Sequence, residues 1–207
     1  MRLIVGGIGT DVGKTVVSAM LCEAFGLDYW KPIQAGDLHN TDSDTVRSLT
    51  TGCRVHDESH RLTEAMSPHA AARRDAAEID LASIQPPETK NLVVELAGGL
   101  MVPINAKELT VDLVAQLDMP VVLVANYYLG SINHTLLSIE LLKSRGIELV
   151  GVVFNGTVNV DSRAVILSYT GIEPLADIEQ MSTLTRDFIK THANQLRQHP
   201  RLARFRS

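Results

Sequence analysis

Gly6-Gly7-Ile8-Gly9-Thr10-Asp11-Val12-Gly13-Lys14-Thr15 follows the aliphatic run Leu3-Ile4-Val5 and opens onto apolar residues at Val16, Val17, Met20, Leu21, Ala24 and Phe25. A strand, a glycine-rich turn and an amphipathic helix in that order make a cradle for phosphate. The glycines let successive backbone N–H groups converge, and the positive end of the helix adds to their field. Lys14 is placed to reach the β- and γ-phosphates of a nucleotide, and Thr15 to offer its hydroxyl to Mg²⁺. One position departs from G-x-x-x-x-G-K-T. Ile8 stands where the first glycine belongs, with Gly7 and Gly9 on either side. The expectation is a variant P-loop that binds a nucleotide.

Further aliphatic runs recur at Leu92-Val93-Val94, Val121-Val122-Leu123-Val124 and Leu149-Val150 with Val152-Val153-Phe154. Each reads as a buried strand. Between them, Ile132, Leu136, Leu137, Ile139 and Leu142 return at helical spacing. Strands alternating with helices predict an α/β fold of the P-loop NTPase type, with a mostly parallel central sheet flanked by helices on both faces. Residues 1–207 read as a single P-loop domain. In such sheets ligands gather at the carboxyl ends of the strands.

Composition narrows the function classes. Hydrophobic residues make up 45% of the 207-residue chain, aromatics only 4%, and the net charge is −5. That balance suits aliphatic strands covered on both faces and lacks the positive field that nucleic acid requires, so no nucleic-acid partner is expected. No apolar run approaches a membrane span and no signal peptide is evident, so a soluble cytoplasmic protein is expected. Cys22 and Cys53 have neither paired spacing nor enough partners for a metal site, and both read as structural. The segment 197–207 carries four arginines and no acid. It reads as a solvated, fraying tail.

Other chemistry sits beside predicted strand ends. Tyr29-Trp30-Lys31-Pro32-Ile33-Gln34-Ala35-Gly36 puts Lys31 at a carboxyl edge, where it would face the γ-phosphate. Glu95 closes the run Leu92-Val93-Val94 where the sheet would meet the cleft, and a carboxylate there suits Mg²⁺. Asp42-Ser43-Asp44-Thr45 precedes a helical pattern that either aspartate could cap. The polar, histidine-rich region 36–87 reads as an active-site excursion rather than a second domain.

Taken in order, G-x-G-T-D-V-G-K-T, Y-W-K-P-I-Q-A-G, D-S-D-T, S-P-H-A-A, V-V-E-L-A-G-G-L-x-V-P, L-G-S-I-N-H and V-F-N-G resemble the dethiobiotin synthetases over nearly the whole chain to about Pro174. The resemblance implies a cytoplasmic homodimeric ligase of biotin synthesis. It would close the cyclic urea of 7,8-diaminononanoate (7,8-diaminopelargonate) with CO₂ or bicarbonate, ATP as co-substrate and Mg²⁺, through a carbamate and a carbamic–phosphoric anhydride. It further implies that Gly9, Thr10, Asp11, Val12, Gly13, Lys14 and Thr15 wrap the phosphates, that Asn155 reads the adenine, and that Thr15, Asp44 and Glu95 hold the metal. Lys14, Lys31 and Thr10 would be catalytic. Asp11, Lys31, Ser67 and Gly98 would meet the substrate, whose carboxylate tail would rest on a partner's Gly130, Ser131, Ile132 and Asn133, with His134 nearby or packed in a core.

Three positions depart from the family pattern. They are Gly9, Ala35 and Leu96, the last large enough to reshape the phosphate side. Three other readings compete, one of them a related amidoligase acting on cobyrinate-type carboxylates, which needs a glutamine-hydrolysing domain for which the 207 residues leave no length. A partition or regulatory P-loop ATPase carries a second lysine inside the loop, which is missing between Gly6 and Gly13. A noncatalytic nucleotide sensor fits poorly with Lys14, Thr15, Lys31 and Glu95 all intact.

Overall fold

The computed structural model describes residues 1–179 and 183–205. The chain runs β1 (Arg2–Gly7), α1 (Lys14–Phe25), β2 (Asp28–Trp30), β3 (Ile33–Ala35), α2 (Asp42–Leu49), β4 (His60–Leu62), α3 (Pro68–Arg74), β5 (Leu92–Gly99) and α4 (Thr110–Leu117). It continues through β6 (Val121–Asn126), α5 (Ser131–Ser144), β7 (Leu149–Asn155), α6 (Val160–Thr170), β8 (Pro174–Ile178), α7 (Arg186–Gln198) and α8 (Pro200–Ala203).

Six strands form one sheet in the order β2-β5-β1-β6-β7-β8, and every pairing in it is parallel. Leu3, Ile4, Val5, Val93, Val94 and Val121 to Val124 are wholly excluded from solvent. The continuous aliphatic runs are therefore explained by burial of both faces. β1 lies between β5 and β6, and α1 carries the chain from it to β2 at one edge. Connections thus depart to either side of β1, which opens a crevice above its carboxyl end.

Helix α1 presents Val17, Ala19, Met20, Leu21 and Ala24 to the interior and packs on both β5 and α7. The region 36–87 folds over the crevice. It contains α2, α3 and β4, and β4 pairs in parallel with β3 just before the region. Gly36 enters this region with φ of 77°, and a Cβ there would lie 2.6 Å from Ala65, so no other residue fits.

Two expectations change. The strand containing Glu95 runs on to Gly99, so Glu95 lies within β5, level with Val5 of β1, rather than at its end. The arginine-rich segment contains the end of α7 and all of α8, and it is docked on the rest of the chain. Leu196 and Leu202 are fully buried, and Arg197 donates through Nε to the Ala24 carbonyl (2.6 Å) and through a terminal nitrogen to that of Glu23 (3.1 Å). Those carbonyls belong to the last turn of α1, where no intrahelical donor remains. Arg206 and Ser207 lie outside the described residues.

Candidate active site

The loop between β1 and α1 accommodates Ile8 without losing its glycine. Ile8 turns its side chain into the core and donates its N–H to the Val124 carbonyl at 3.0 Å. The close approach falls on Gly7, where a Cβ would stand 2.8 Å from Val12 and 3.0 Å from the Lys14 side chain. Gly13 closes the loop with φ of 97°, and a Cβ there would sit 2.2 Å from the Asn155 amide nitrogen. The glycine requirement has moved one residue along the chain.

Lys14 is buried, and its Nζ donates to the Gly9 carbonyl at 2.8 Å. Burial lowers its pKa, a shift the Glu95 carboxylate partly opposes. Beside it, the Thr15 hydroxyl lies 2.7 Å from Asp42 Oδ1 and 2.9 Å from Glu95 Oε1, and its single proton serves one of them at a time. Lys31 Nζ bridges the same two carboxylates, bonded to Asp42 Oδ2 and 3.3 Å from Glu95 Oε1. Burial pulls Lys31 down, but the charges of Glu95 and Asp42 outweigh it, and the ammonium is held above its ordinary pKa. For Asp42, burial is overcome by the Lys31 charge and by hydrogen bonds from Lys31 and Thr15, so its carboxyl titrates below the usual range. Glu95 is 1% exposed, and its second oxygen accepts from the Tyr29 hydroxyl at 2.9 Å.

These groups border a cleft of about 710 Å³. Thr10, Asp11 and Gly13 line it from the loop, Lys14 and Thr15 from the start of α1, Lys31 from just after β2, Glu95 and Gly98 from β5, and Ser67 from the excursion. Of the expected site residues, Asp44 points elsewhere. Its carboxylate accepts from the Thr41 backbone and hydroxyl in a capping box and pairs with Arg47 at 2.6 Å. The acid that joins Thr15, Lys31 and Glu95 is Asp42, one helical position in from the Thr41 cap. Asp42 was missed as a site residue. Tyr29 carried no polar signal in a run that reads as core.

The remaining expectations divide. Asn155 ends β7 beneath the loop and donates Nδ2 to the Val12 carbonyl at 3.0 Å, so its amide supports the loop, and it lies outside the cleft lining. Gly9 and Val12 shape the loop without lining the cleft. Gly130, Ser131, Ile132 and Asn133 begin α5 and lie outside the cleft lining. His134 is exposed, with its Nδ1 2.6 Å from the Tyr128 hydroxyl, rather than packed in a core. Leu96 is 1% exposed on the face opposite Glu95, against the position of Gly6, so its bulk leaves the phosphate side untouched.

A family model described as an AAA domain matches residues 1–187. The ATP-dependent dethiobiotin synthetase of Cytophaga hutchinsonii is 45% identical over 199 residues, covering 94% of this chain and 96% of the relative. That of Christiangramia forsetii is 48% identical over 194 residues, covering 92% and 93%. The chain belongs to the dethiobiotin synthetase family. It is an ATP-dependent ligase with a role in biotin biosynthesis. Among solved structures, the MinC:MinD cell division complex of Aquifex aeolicus aligns with TM-score 0.54 at 16% identity, covering 98% of this chain and 95% of that one. MinD with Mg-ADP from Pyrococcus horikoshii aligns with TM-score 0.52 at 15% identity, covering 99% and 92%. At such identities the likeness is one of fold, and it places the synthetase on the P-loop NTPase sheet.

The donor set fits the divalent cation that the family implies. A threonine hydroxyl and two carboxylates are hard oxygen donors, and Mg²⁺ is ordinarily held by one or two carboxylates with the balance from water and phosphate. Among the described residues, no helix is long and apolar enough to cross a membrane.

Proposed function

We propose that this protein, one domain acting as a cytoplasmic homodimer, makes dethiobiotin from 7,8-diaminononanoate, CO₂ and ATP. The observation that supports this reading best is the grouping of Lys14, Lys31, Thr15, Asp42 and Glu95 on one wall of the cleft, with Lys31 shared between the two carboxylates. Thr15, Asp42 and Glu95 would hold Mg²⁺, which when bound supplies positive charge to the β- and γ-phosphate oxygens.

The chemistry asks two anions to react. One substrate amine captures CO₂, forming an N–C bond and releasing a proton to give a carbamate. A carbamate oxygen then attacks the γ-phosphorus while the bond to the ADP oxygen breaks, giving a carbamic–phosphoric anhydride. The second amine attacks its carbonyl carbon, phosphate departs and the urea ring closes. Lys14 and Lys31 would quiet the repulsion between the carbamate and the phosphate. Lys31 can do so because Asp42 and Glu95 keep it protonated throughout the physiological range. Thr10, Asp11, Ser67 and Gly98 line the region open to the diamine, and Asn155 faces the base.

The carboxylate tail of the substrate is assigned to Gly130, Ser131, Ile132 and Asn133 of a second copy. Support comes from the start of α5, which has no side-chain cap, and from exposed Leu129, Leu137 and Tyr128 beside it, an apolar face suited to burial between subunits.

The test is direct. Incubated with the diamine, bicarbonate, ATP and Mg²⁺, the protein should release dethiobiotin and phosphate in equal amounts. Absence of both products rejects the reading.

A further inference from the structure

The role of Tyr29 is not explained by burial. Its ring is wholly excluded from solvent in β2, level with Val93 of β5, where phenylalanine would fill the same space. The hydroxyl instead reaches Glu95 Oε2 at 2.9 Å. The backbone is fixed on the opposite edge as well, donating to the Arg54 carbonyl at 2.8 Å and accepting from the His56 N–H at 2.9 Å. Tyr29 is thus a donor on a rigid mount, aimed at one oxygen of the most deeply buried acid in the cleft.

Glu95 needs such a partner because its two oxygens have different surroundings. Oε1 faces Thr15 and Lys31, and Oε2 faces Tyr29. A carboxylate turns readily about its terminal torsion unless both oxygens are held. With Oε2 fastened, Oε1 stays turned toward Thr15 and Asp42. Partners of this kind, one bond removed from a cation, commonly change its affinity by about 10- to 100-fold.

We propose that Tyr29 is a positioning residue for Glu95, holding Oε2 so that Oε1 is presented to the cation of the nucleotide complex. The proposal rests on Glu95 being a cation ligand. Its test therefore reads the cation and not the synthesis of dethiobiotin. Mn²⁺ binding to the full-length protein in the presence of ADP is followed by electron paramagnetic resonance. Tyr29→Phe, which removes one hydroxyl and conserves the ring, should raise the Mn²⁺ dissociation constant about 10-fold. In a Glu95→Gln background the same substitution should change it less than about twofold, because the effect travels through Glu95.

An unchanged dissociation constant for Tyr29→Phe overturns the positioning role, as does a full effect that persists in the Glu95→Gln background. Glu95→Gln alone separates the two levels of the argument. If it leaves Mn²⁺ affinity intact, the cation-ligand reading fails and Tyr29's role with it. If it weakens binding while Tyr29→Phe does not, only the role of Tyr29 is lost.

Discussion

Asp42 and Asp44 are two residues apart on one helix, and the cleft depends on only one of them. At about 100° per residue, that spacing sets their side chains on opposite faces of α2. Thr41 caps the helix and is answered by Asp44 from the third position, which leaves Asp42 to face Thr15, Lys31 and Glu95. Asp42→Asn should therefore cut turnover about 10²-fold or more, by loss of one charged member of a preorganised set, and should raise the Mg²⁺ concentration needed for half-maximal rate. Asp44→Ala should leave turnover within about twofold while costing about 0.5–1 kcal/mol of stability through the weakened cap, read as a lower denaturation midpoint. A reversal of the two results would return the metal to Asp44. The resemblance pointed to Asp44 as the metal-binding acid, and the pattern around 42–45 was compatible with either aspartate as the cap. What decided between them is the rotation of a short helix about its own axis, which depends on Val46 and Leu49 finding the core. Lys14, Thr15 and Lys31 were legible because each follows a strand whose end is marked by composition, and Glu95 because an acid stands out in an aliphatic run, although the strand continues past it to Gly99. Tyr29 was not, because a buried hydroxyl leaves no trace in a hydrophobic pattern.

At the scale of elements, the phosphate loop is held from below by the end of a strand some 140 residues later in sequence. Asn155 donates to the Val12 carbonyl, and Gly13 has no room for a side chain because the Asn155 amide occupies that space. The asparagine therefore acts on the phosphate site even if it also meets the base. Removing one such neutral hydrogen bond costs about 1 kcal/mol, roughly fivefold in affinity. Asn155→Ala should accordingly weaken inorganic triphosphate, which has no base, by about fivefold, measured by competition with labelled ADP. If triphosphate binds the variant as well as wild type while ATP does not, the residue serves the base alone. The β1–loop–α1 unit was readable in the sequence because its pattern is local, whereas the link from β7 was not. Several elements escaped, β8 and α7 among them. β8 begins with Pro174 and is only partly buried, so it lacks the aliphatic run of a central strand. α7 is polar over most of its surface and buries only Ile189, Ala193 and Leu196.

For the whole molecule, the sheet was legible because four of its strands are buried on both faces, and continuous aliphatic runs of that kind are stable in a folded chain where water is kept from both sides of the strand. The docked C-terminal segment was not, because composition counts charges without saying where they end. Its described arginines are engaged with the rest of the chain. Arg197 covers two terminal carbonyls of α1, Arg201 donates to the Val150 carbonyl at 3.3 Å, and Arg204 pairs with Glu148. The anchor between them is Leu202, fully excluded from solvent in a helix of only four residues. A fraying tail would make this leucine replaceable at no cost, since an exposed side chain contributes little. A docked one gives up transfer energy and leaves a cavity, about 2–4 kcal/mol for leucine to alanine. Leu202→Ala should therefore lower the urea midpoint of unfolding with little change in slope, because the surface exposed on unfolding is nearly the same. Since α7 packs on α1, and α1 begins at the phosphate loop, loosening the segment should also be felt at the far end of that helix. Saturating Mg²⁺ and ADP, which bind only the folded chain, should recover part of the loss by mass action. An unchanged midpoint in Leu202→Ala would mean that the segment does not dock in solution, and that α7 alone closes this side of the sheet.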